Sequence, residues 1–321
     1  MIWLPTAQKL NEAADILKRG GIGAIPTETV YGLAADALNP IAVARIFEAK
    51  NRPVFNPLIV HMPDAGLLPL ISTIDLSRID SLIHRFWPGP LTLVVPKRSV
   101  VPGITTGDRE SVAVRVPAHP IARHLIAAAG GFLAAPSANP SNYLSPTRAD
   151  HVEHQLSDRI DFILDGGPCR VGVESTIVSL LGPVPVLLRH GGLSTDALRQ
   201  FLPDLEERHA PSAHHQPLAP GQLAVHYSPS TPLAFWEGQP VTGSETGFIS
   251  WSHLPEDPAV RVFRLSEHQD LTEAAARLFS ILHDLDRAGL KRIVVERVPE
   301  TGLGRAIMDR LKRAVAGHVH V

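Results

Sequence analysis

Two cations and an amide lie close together in the segment KNRPVFNP, residues 50–57. Lys50, Arg52 and Asn56 could bind a chain of phosphates, because such an anion needs converging charges and donors, and the planar guanidinium of arginine matches phosphate oxygens. The same residues could equally form a solvated helix end, where lysine and arginine interact favourably with the helix dipole. The spacing alone leaves both interpretations open.

Polar residues also follow apolar runs elsewhere in the chain. They lie in PTETVYGL (26–33), PSANPSNYLSPT (136–147), GGPCRVGVEST (166–176) and LLRHGG (187–192). Hydroxyls, amides and glycines that follow strands lie at a sheet edge, where ligands often bind. Alternatively, PTETVYGL is a turn with a helix cap, and Ser145 caps a helix that Pro146 begins. Cys169 is better explained as a small packed residue than as a nucleophile, because the sequence offers no partner that lowers the pKa of its thiol.

The standard nucleotide motifs are missing from this sequence. It contains no P-loop with Gly-Lys-Ser/Thr, no G-x-G-x-x-G after the first predicted strand and no nucleophile elbow. A bound nucleotide would therefore be held by converging cations and hydroxyls. The pairs His151/His154 and His318/His320 lack the further ligands of a structural metal site, so we expect no zinc.

Composition limits the class of protein. The chain has 321 residues, of which 44% are hydrophobic and 19% charged, as expected for two globular domains. The formal net charge of -2 favours no strong direct binding of nucleic acid, which usually requires a basic excess. The single cysteine excludes an intramolecular disulfide, and no signal peptide or membrane span is recognisable, so we expect a soluble, cytoplasmic protein.

The elements that position these motifs alternate between strands and helices over residues 1–205. Thr6 and Asn39 are predicted N-caps of two helices, the second of which ends near Lys50. Strict alternation over 111–116 places Ser111, Ala113 and Arg115 on one face of a strand. Other strands are predicted at 22–25, 58–61, 91–95, 132–135, 162–164, 176–180 and 186–189, with helices near 120–129 and 146–156. The pattern predicts an α/β domain with a twisted, partly mixed open sheet.

A change in composition separates a second unit from the first. Residues 206–230 are rich in proline, histidine and alanine without apolar periodicity, as expected of a linker. Strands are then predicted at 233–236, 247–251, 260–264 and 292–296, with helices at 272–287 and 303–315. Residues 231–321 are therefore predicted to form a small Rossmann-like α/β domain, in which we identify no catalytic constellation.

The motifs, taken in order, resemble those of the YrdC-like family. The resemblance over residues 6–200 rests on PTETVYGL, KNRPVFNPLIVH, WPGPLTLV, SVAVRVP, APSANPS, GVESTIV and LLRHGG. The segments APGQLAVHYSP (219–229) and TGLGRAIMDRLKRA (301–314) look like those of the longer, two-domain threonylcarbamoyl-AMP synthases. The resemblance thus covers nearly the whole chain, and it implies a YrdC-like sheet and a linker that folds back over the active site.

The resemblance also implies a reaction. L-threonine and bicarbonate give a carbamate, which attacks the α-phosphate of ATP and releases pyrophosphate, with magnesium accompanying the nucleotide and no covalent enzyme intermediate. The product, threonylcarbamoyl-adenylate, would pass to a tRNA threonylcarbamoyl-transferase machinery. Related activities stay open: a carbamoyl-adenylate-forming carbamoyltransferase, or a non-catalytic RNA-binding module.

By the same resemblance, each motif residue acquires an expected role. Lys50 and Arg52 would face the phosphates and stabilise the transition state. The other ATP-binding residues would be Asn56, Ser111, Ser137, Ser145, Arg189 and Tyr227. Threonine would be bound by Thr29, His61, Arg115, Ser175 and the backbone of Ala135.

Bland alternatives remain for some of these residues, and the chain departs from the family pattern at two places. His61 could be a satisfied strand-end histidine, Thr29 a turn former, and Tyr227 a residue that packs the linker. Asn142 stands where glycine is usual, a mild change because asparagine tolerates the left-handed backbone region. Uncharged residues at 222–224 (Gln222, Leu223 and Ala224) replace the basic residues of some members, so the linker is not expected to bind phosphates itself.

Overall fold

The computed structural model describes residues 1–207, 218–221 and 226–318. Within these ranges, none of the helices has the length and apolar character needed to cross a membrane. The predicted linker residues Gln222, Leu223 and Ala224, and the histidine at 320, lie outside the described residues.

The first unit is built on one open sheet of mixed direction. Its 11 strands follow the spatial order β1-β8-β2-β3-β7-β4-β6-β5-β9-β10-β11. The strands are β1 (Ile2–Trp3), β2 (Gly23–Ile25), β3 (Gly32–Asp36), β4 (Ile59–His61), β5 (Leu91–Pro96), β6 (Ser111–Arg115), β7 (Leu133–Ala134), β8 (Phe162–Leu164), β9 (Thr176–Ser179), β10 (Val186–Arg189) and β11 (Glu206–Glu207). The sheet contains both parallel pairs, such as β4–β6, and antiparallel pairs, such as β5–β6, so the predicted mixed sheet is confirmed.

Eight helices accompany this sheet among the described residues. They are α1 (Ala7–Lys18), α2 (Pro40–Lys50), α3 (Leu68–Ile71), α4 (Asp80–Phe86), α5 (Gly103–Thr106), α6 (Pro120–Ala128), α7 (Ala149–Leu156) and α8 (Thr195–Arg199). The predicted caps are present: the side chain of Thr6 accepts from the backbone N–H of Lys9, and that of Asn39 from Ile41 and Ala42. The helix predicted from residue 146 begins instead at Ala149, and Arg148 is its N-cap residue. Ser145 is therefore not a helix cap, and its hydroxyl is available for another contact.

Strand β6 shows how the sheet carries both core and site. Val112, Val114 and Val116 pack into the main apolar core, as the alternation predicted. On the other face, Ala113 packs with Ile59, Val94, Ile177 and Ala219 of the linker. The sequence analysis did not predict strand β3, which begins at the cavity-lining Gly32. Its Gly-Leu-Ala-Ala-Asp sequence has weak strand propensity, so the strand depends on pairing with β2 and β7.

The second unit is a small parallel sheet with two long helices. Strands β12 (Leu233–Phe235), β13 (Thr246–Ser250), β14 (Arg261–Arg264) and β15 (Arg292–Val295) lie in the order β12-β15-β13-β14. Helices α9 (Leu271–Asp286) and α10 (Gly304–Ala316) cover it. Their apolar stripes join one cluster that also includes Val30, Leu144, Val173 and Tyr227 from the first unit and the linker. The predicted Rossmann-like α/β pattern is confirmed, and its core is continuous with the loops of the larger sheet.

Candidate active site

A polar cavity lies where the loops after β2 and β7, the carboxyl ends of β4, β6 and β10, and the residues just before β9 meet the linker. Nine of the predicted site residues line it: Thr29, Arg52, His61, Arg115, Ala135, Ser137, Ser175, Arg189 and Tyr227. All of the residues expected to bind threonine are in this list. The fold therefore collects one set of side chains from segments that are up to about two hundred residues apart in the chain.

Strands β4 and β6 position the imidazole of His61 and the guanidinium of Arg115 in the cavity. These strands are parallel neighbours, and their register places His61 beside Arg115. Both side chains are buried at the carboxyl ends of their strands, which is the edge where ligands of α/β sheets usually bind. Burial and the charge of Arg115 lower the pKa of His61 to about 3, so its imidazole is neutral at neutral pH. Its Nδ1 lies 3.2 Å from the carbonyl oxygen of Ile59, which orients the ring.

Arg115 is held by a carboxylate that the sequence interpretation did not assign to it. Its Nη2 donates to Glu28 Oε1 at 2.7 Å, and its Nε donates to the carbonyl of Gly89 at 3.1 Å. The other oxygen of Glu28 accepts from the backbone N–H of Ala118 at 3.0 Å. Glu28 lies in PTETVYGL, a segment already singled out for its carboxylate, but the partner of that carboxylate is 87 residues away. Arg115 thus enters the cavity as one half of a buried ion pair.

Hydroxyl groups complete this side of the cavity. Thr29 Oγ1 lies 2.9 Å from Thr27 Oγ1, which also accepts from the backbone N–H of Thr29, so Thr29 is part of an ordered turn as well as a wall residue. Ser175 Oγ lies 2.8 Å from Thr92 Oγ1. Arg189 Nη2 donates to both the carbonyl and the hydroxyl of Ser175, at 2.8 Å and 3.2 Å. Ser175, which was predicted to bind threonine, is therefore in direct contact with Arg189, which was predicted to bind ATP.

Two further buried cations, Arg52 and Arg189, line the cavity. Arg52 at the end of α2 donates through Nε and Nη2 to the carbonyls of Asn56 and Pro57, at 3.2 Å and 3.0 Å. These bonds hold the backbone of residues 56–57 against the Arg52 side chain. Burial is the main cause that lowers the pKa of Arg52 to about 9, and the charge of Arg189 adds to the effect. A site that holds cations at such an electrostatic cost favours an anionic ligand.

Lys50 lies behind the cavity wall. Its Nζ donates to the carbonyl of Ser137 at 2.6 Å and to that of Asn139. Burial, followed by the charge of Arg52, lowers its pKa. Lys50 is thus buried and directed at the loop that carries Ser137, so its interpretation as a solvated helix end is wrong.

Three other predicted ATP residues do not line the cavity in this structure. Asn56 is buried, and its Oδ1 has no hydrogen-bond partner within the described residues. Ser111 is buried at the start of β6, opposite Pro96. Ser145 donates from Oγ to Glu174 Oε1 at 2.5 Å, and the carboxylate of Glu174 itself lines the cavity. Sequence reasoning missed Glu174 although it lies in GVEST, beside Ser175.

The linker closes one side of the cavity. Pro220, Gly221, His226 and Tyr227 line it, and Tyr227 is fully buried with a positive φ of 65°. The Tyr227 ring lies 3.9 Å from that of His226 and 5.6 Å from that of Phe279 in the second unit. Tyr227 therefore both packs the linker and faces the cavity. At the other departure from the family pattern, Asn142 takes a φ of 67°, in the left-handed region as expected.

Two remaining predictions concern cysteine and metal. Cys169 is buried, and burial is the main cause that raises the pKa of its thiol, as expected of a packed residue. Of the predicted histidine pairs, His151 stacks on His283 with ring centroids 4.0 Å apart. Over the part of the chain that the structure describes, no group of three or more His, Cys, Asp or Glu is placed to hold a metal ion.

An open mixed sheet with buried arginines and hydroxyls around one cavity, covered by the linker of a second α/β domain, defines a two-domain YrdC-like protein. Comparison with known families agrees with this class. The Sua5_yciO_yrdC family, described as "Telomere recombination", matches residues 15–191, and the C-terminal domain of threonylcarbamoyl-AMP synthase matches residues 193–316. The chain belongs to the threonylcarbamoyl-AMP synthase family.

Relatives resemble the chain over nearly its whole length. The threonylcarbamoyl-AMP synthase of Bacillus subtilis is 38% identical, covering 97% of this chain and 94% of that one. The enzyme of the same name from Pyrococcus abyssi is 41% identical, covering 95% and 94%. The crystal structure of P. abyssi Sua5 complexed with L-threonine superposes with a TM-score of 0.89 at 38% identity, covering 99% of this chain and 98% of that one.

Proposed function

We propose that this chain is a nucleotidyltransferase that converts L-threonine, bicarbonate and ATP into L-threonylcarbamoyladenylate, pyrophosphate and water. The observation that carries the proposal is the single cavity that brings Arg52 and Arg189 together with Thr29, Arg115 and Ser175. One side can neutralise phosphates and the other can seat a small amino acid. The names of the relatives and the threonine complex of P. abyssi Sua5 support the same assignment.

On the threonine side, we assign the carboxylate of the amino acid to Arg115. A buried carboxylate needs a compensating charge, and the guanidinium can bind it while Glu28 holds its far edge. Thr29, His61, Ser175 and the backbone of Ala135 then surround the rest of the amino acid. Because His61 is neutral, it can accept or donate one hydrogen bond without repelling the amine.

On the nucleotide side, we assign Arg52 and Arg189 to the phosphates, with Lys50 acting from behind the Ser137 loop. Arg189 already bonds to Ser175 and to the carbonyl of Pro220, so it links the threonine side, the phosphates and the linker. Asn56 offers a buried oxygen that lacks a partner among the described residues. Ser111, Ser137, Ser145 and Tyr227 complete the assignment.

The chemistry requires positioning more than side-chain reactivity. The threonine amine captures bicarbonate with loss of water, and an oxygen of the resulting carbamate attacks the α-phosphorus as the bond to pyrophosphate breaks. Fixed cations stabilise the negative charge that develops on the leaving group, and a buried, low-dielectric cavity strengthens that effect. A cation that hydrogen bonds to backbone carbonyls hold in place, as they hold Arg52, needs little reorganisation during the reaction.

We assign magnesium to the substrate, as the complex of Mg²⁺ with ATP. Magnesium usually keeps several waters and binds phosphates together with one or two carboxylates. Glu174 offers a carboxylate at the cavity, but its two oxygens accept from Ser145 and Arg310. The described residues therefore do not form a dedicated magnesium site, and no step is assigned to the ion. We further propose that the adenylate is consumed in the cytoplasm by tRNA threonylcarbamoyl-transfer machinery.

The direct test measures threonylcarbamoyl-adenylate and pyrophosphate from purified protein. Product must require threonine, bicarbonate and ATP together, and Lys50→Ala and Arg52→Ala must each lower its rate by about 100-fold or more. Lys18→Ala and Arg264→Ala remove exposed cations at surface ion pairs and serve as matched controls. Turnover with carbamoyl phosphate but not threonine would instead identify a carbamoyltransferase. Salt-dependent RNA binding without turnover would identify an RNA-binding module.

A further inference from the structure

One arginine of the second unit is buried against the wall of the cavity. Arg310 lies on α10, and its side chain has 0% exposure. Its Nε donates to Glu174 Oε2 at 2.9 Å, and its Nη1 donates to the carbonyl of His190 at 2.8 Å. Its guanidinium lies 5.3 Å from the centre of the Tyr227 ring. A residue of the small domain therefore contacts GVEST, LLRHGG and the linker together.

The contacts of Arg310 fall next to assigned site residues in the chain. Glu174 precedes Ser175, and His190 follows Arg189. Arg189 itself donates to the carbonyl of Ser175. The segments GVEST and LLRHGG are therefore joined twice, once by Arg189 and once by Arg310, which bonds to Glu174 and His190. Arg310 does not line the cavity, and it can act on bound substrates only through these neighbours.

Glu174 transmits the contact to Ser145. Its Oε1 accepts from the Ser145 hydroxyl at 2.5 Å while its Oε2 accepts from Arg310. The backbone of Ser145 is held by the second unit as well, because His283 Nε2 on α9 lies 3.2 Å from its carbonyl oxygen. The hydroxyl of Ser145, through Glu174 and Arg310, and its backbone carbonyl, through His283, thus both depend on helices of the small domain.

Core packing alone does not call for a charge at this position. The neighbours of Arg310 on α10, Ile307, Leu311 and Ala314, form the apolar stripe of the helix. A buried arginine has a large desolvation cost, and an apolar residue of similar volume often serves stability equally well. Asp309 compensates part of the charge through a contact of 2.8 Å with Nη1. The arginine is better explained by what it does to Glu174 and the cavity wall.

We propose that Arg310 is a positioning residue for the reaction, which fixes the Glu174 carboxylate and through it the hydroxyl of Ser145 and the Ser175–Arg189 wall. The C-terminal domain is then part of the catalytic unit, although it contributes no group that touches the substrates. This inference rests on the proposed function, because its readout is adenylate formation.

The test is a double-mutant cycle of Arg310→Met and Glu174→Gln, followed through kcat and through KM for ATP. Loss of a charge-assisted hydrogen bond that positions a site corresponds to roughly a 10- to 100-fold drop in kcat/KM. If Arg310 acts through Glu174, the double variant is no worse than the poorer single variant, since the second change removes a contact already lost. Lys312→Met removes an exposed cation from the same helix and is the matched control.

The pH profile gives a readout that a purely structural role would not move. Burial by itself raises the pKa of Glu174, but the charges of Arg310 and Arg189 and the bond from Ser145 outweigh it and lower the pKa to about 2. Other titratable groups around this pair are Asp309, His190, His226 and Tyr227. Removal of the Arg310 charge raises the pKa of Glu174, so Arg310→Met should lose activity at a higher pH on acidification than the parent protein. Glu174→Gln should abolish that difference.

Arg310→Lys keeps the proposal testable if Arg310→Met does not fold. Lysine retains the charge but not the paired bonds to Glu174 and His190, so it should restore the acid limb towards that of the parent while kcat/KM stays about tenfold low. Losses that multiply in the double variant, or an acid limb unchanged in Arg310→Met, would overturn the proposal. A parent protein that makes no adenylate contradicts the proposed function instead, whereas an active parent with equally active Arg310 variants contradicts only the role of Arg310.

Discussion

The buried pair of Arg115 and Glu28 allows a quantitative test of the threonine side. The change is Glu28→Gln, which removes the negative charge but keeps one amide oxygen for the contact of 2.7 Å with Arg115. The side chains of this pair are only 4% and 3% exposed, so water cannot replace the lost partner. Breaking a buried pair in this way costs about 3–5 kcal/mol.

The expected loss of stability lies at the lower end of that range. Because glutamine keeps an acceptor, we expect about 3 kcal/mol, which corresponds to roughly 6–12 °C in melting temperature for a domain of about 200 residues. Glu267→Gln, at the exposed pair with Arg264, is the matched control and should change stability by less than about 1 kcal/mol. Thermal unfolding of the three proteins without ligand measures this difference.

Threonine should then stabilise the variant more than the parent protein. A carboxylate bound to Arg115 opposite Glu28 would lie about 8 Å from it and repel it by about 2 kcal/mol at an effective dielectric constant of about 20. Removal of that repulsion should tighten threonine binding by up to roughly 30-fold. Calorimetric titration with threonine, together with melting curves in its presence, measures the effect.

The same experiment can refute the reasoning. If threonine raises the melting temperature of parent and variant by equal amounts, Arg115 does not bind the carboxylate. If the folded variant binds threonine more weakly, Glu28 acts by orienting Arg115, and the electrostatic account given above is wrong.

Two shorter predictions follow from other contacts. Gly191→Ala should destabilise the first unit by about 2–4 kcal/mol, because a Cβ would lie 2.3 Å from the Ser175 carbonyl carbon; unchanged denaturant unfolding would contradict the close approach. Glu296→Ala should destabilise the second unit by about 3 kcal/mol, because it removes the acceptor of the backbone N–H groups of Trp251, Ser252 and His253. The loss should appear as faster hydrogen exchange of the amides in β13, and unaltered protection of these amides would contradict the prediction.

The substitution Glu296→Ala also has a pH signature with a defined sign. Burial raises the pKa of Glu296, but the backbone hydrogen bonds outweigh it, so its pKa is lowered in the folded state. A carboxylate with a depressed pKa stabilises the fold above its usual range and loses that contribution as the pH falls. The stability difference between the parent protein and Glu296→Ala should therefore shrink on acidification.

Local patterns in the chain were sufficient for the elements and for most of the cavity. Apolar runs and caps placed the main strands and helices to within a few residues, and alternation in β6 correctly assigned Val114 and Arg115 to opposite faces. The motif segments supplied nine cavity residues, which lie at strand ends or in the loops next to them. These features depend on period, burial and turn chemistry, which neighbouring residues encode.

The partners of the buried charges could not be predicted in the same way. Arg115 pairs with Glu28 across 87 residues, and Arg310 pairs with Glu174 across 136 residues. No local pattern specifies which carboxylate compensates which cation, because that choice depends on how strands, linker and small domain pack against one another. For the same reason Ser145 looked like a helix cap but bonds to Glu174 instead.

The amino-acid pattern was therefore enough to identify the family, the order of strands and helices along the chain, and the residue types that can bind an anion and an amino acid. It did not reveal that Lys50 lies behind the cavity wall, that Glu28 holds Arg115, or that Arg310 brings the small domain to the site, which are features of the folded chain. A pattern records whether a residue is buried and how often apolar residues recur. The partner that makes a buried charge tolerable is set by contacts between distant segments.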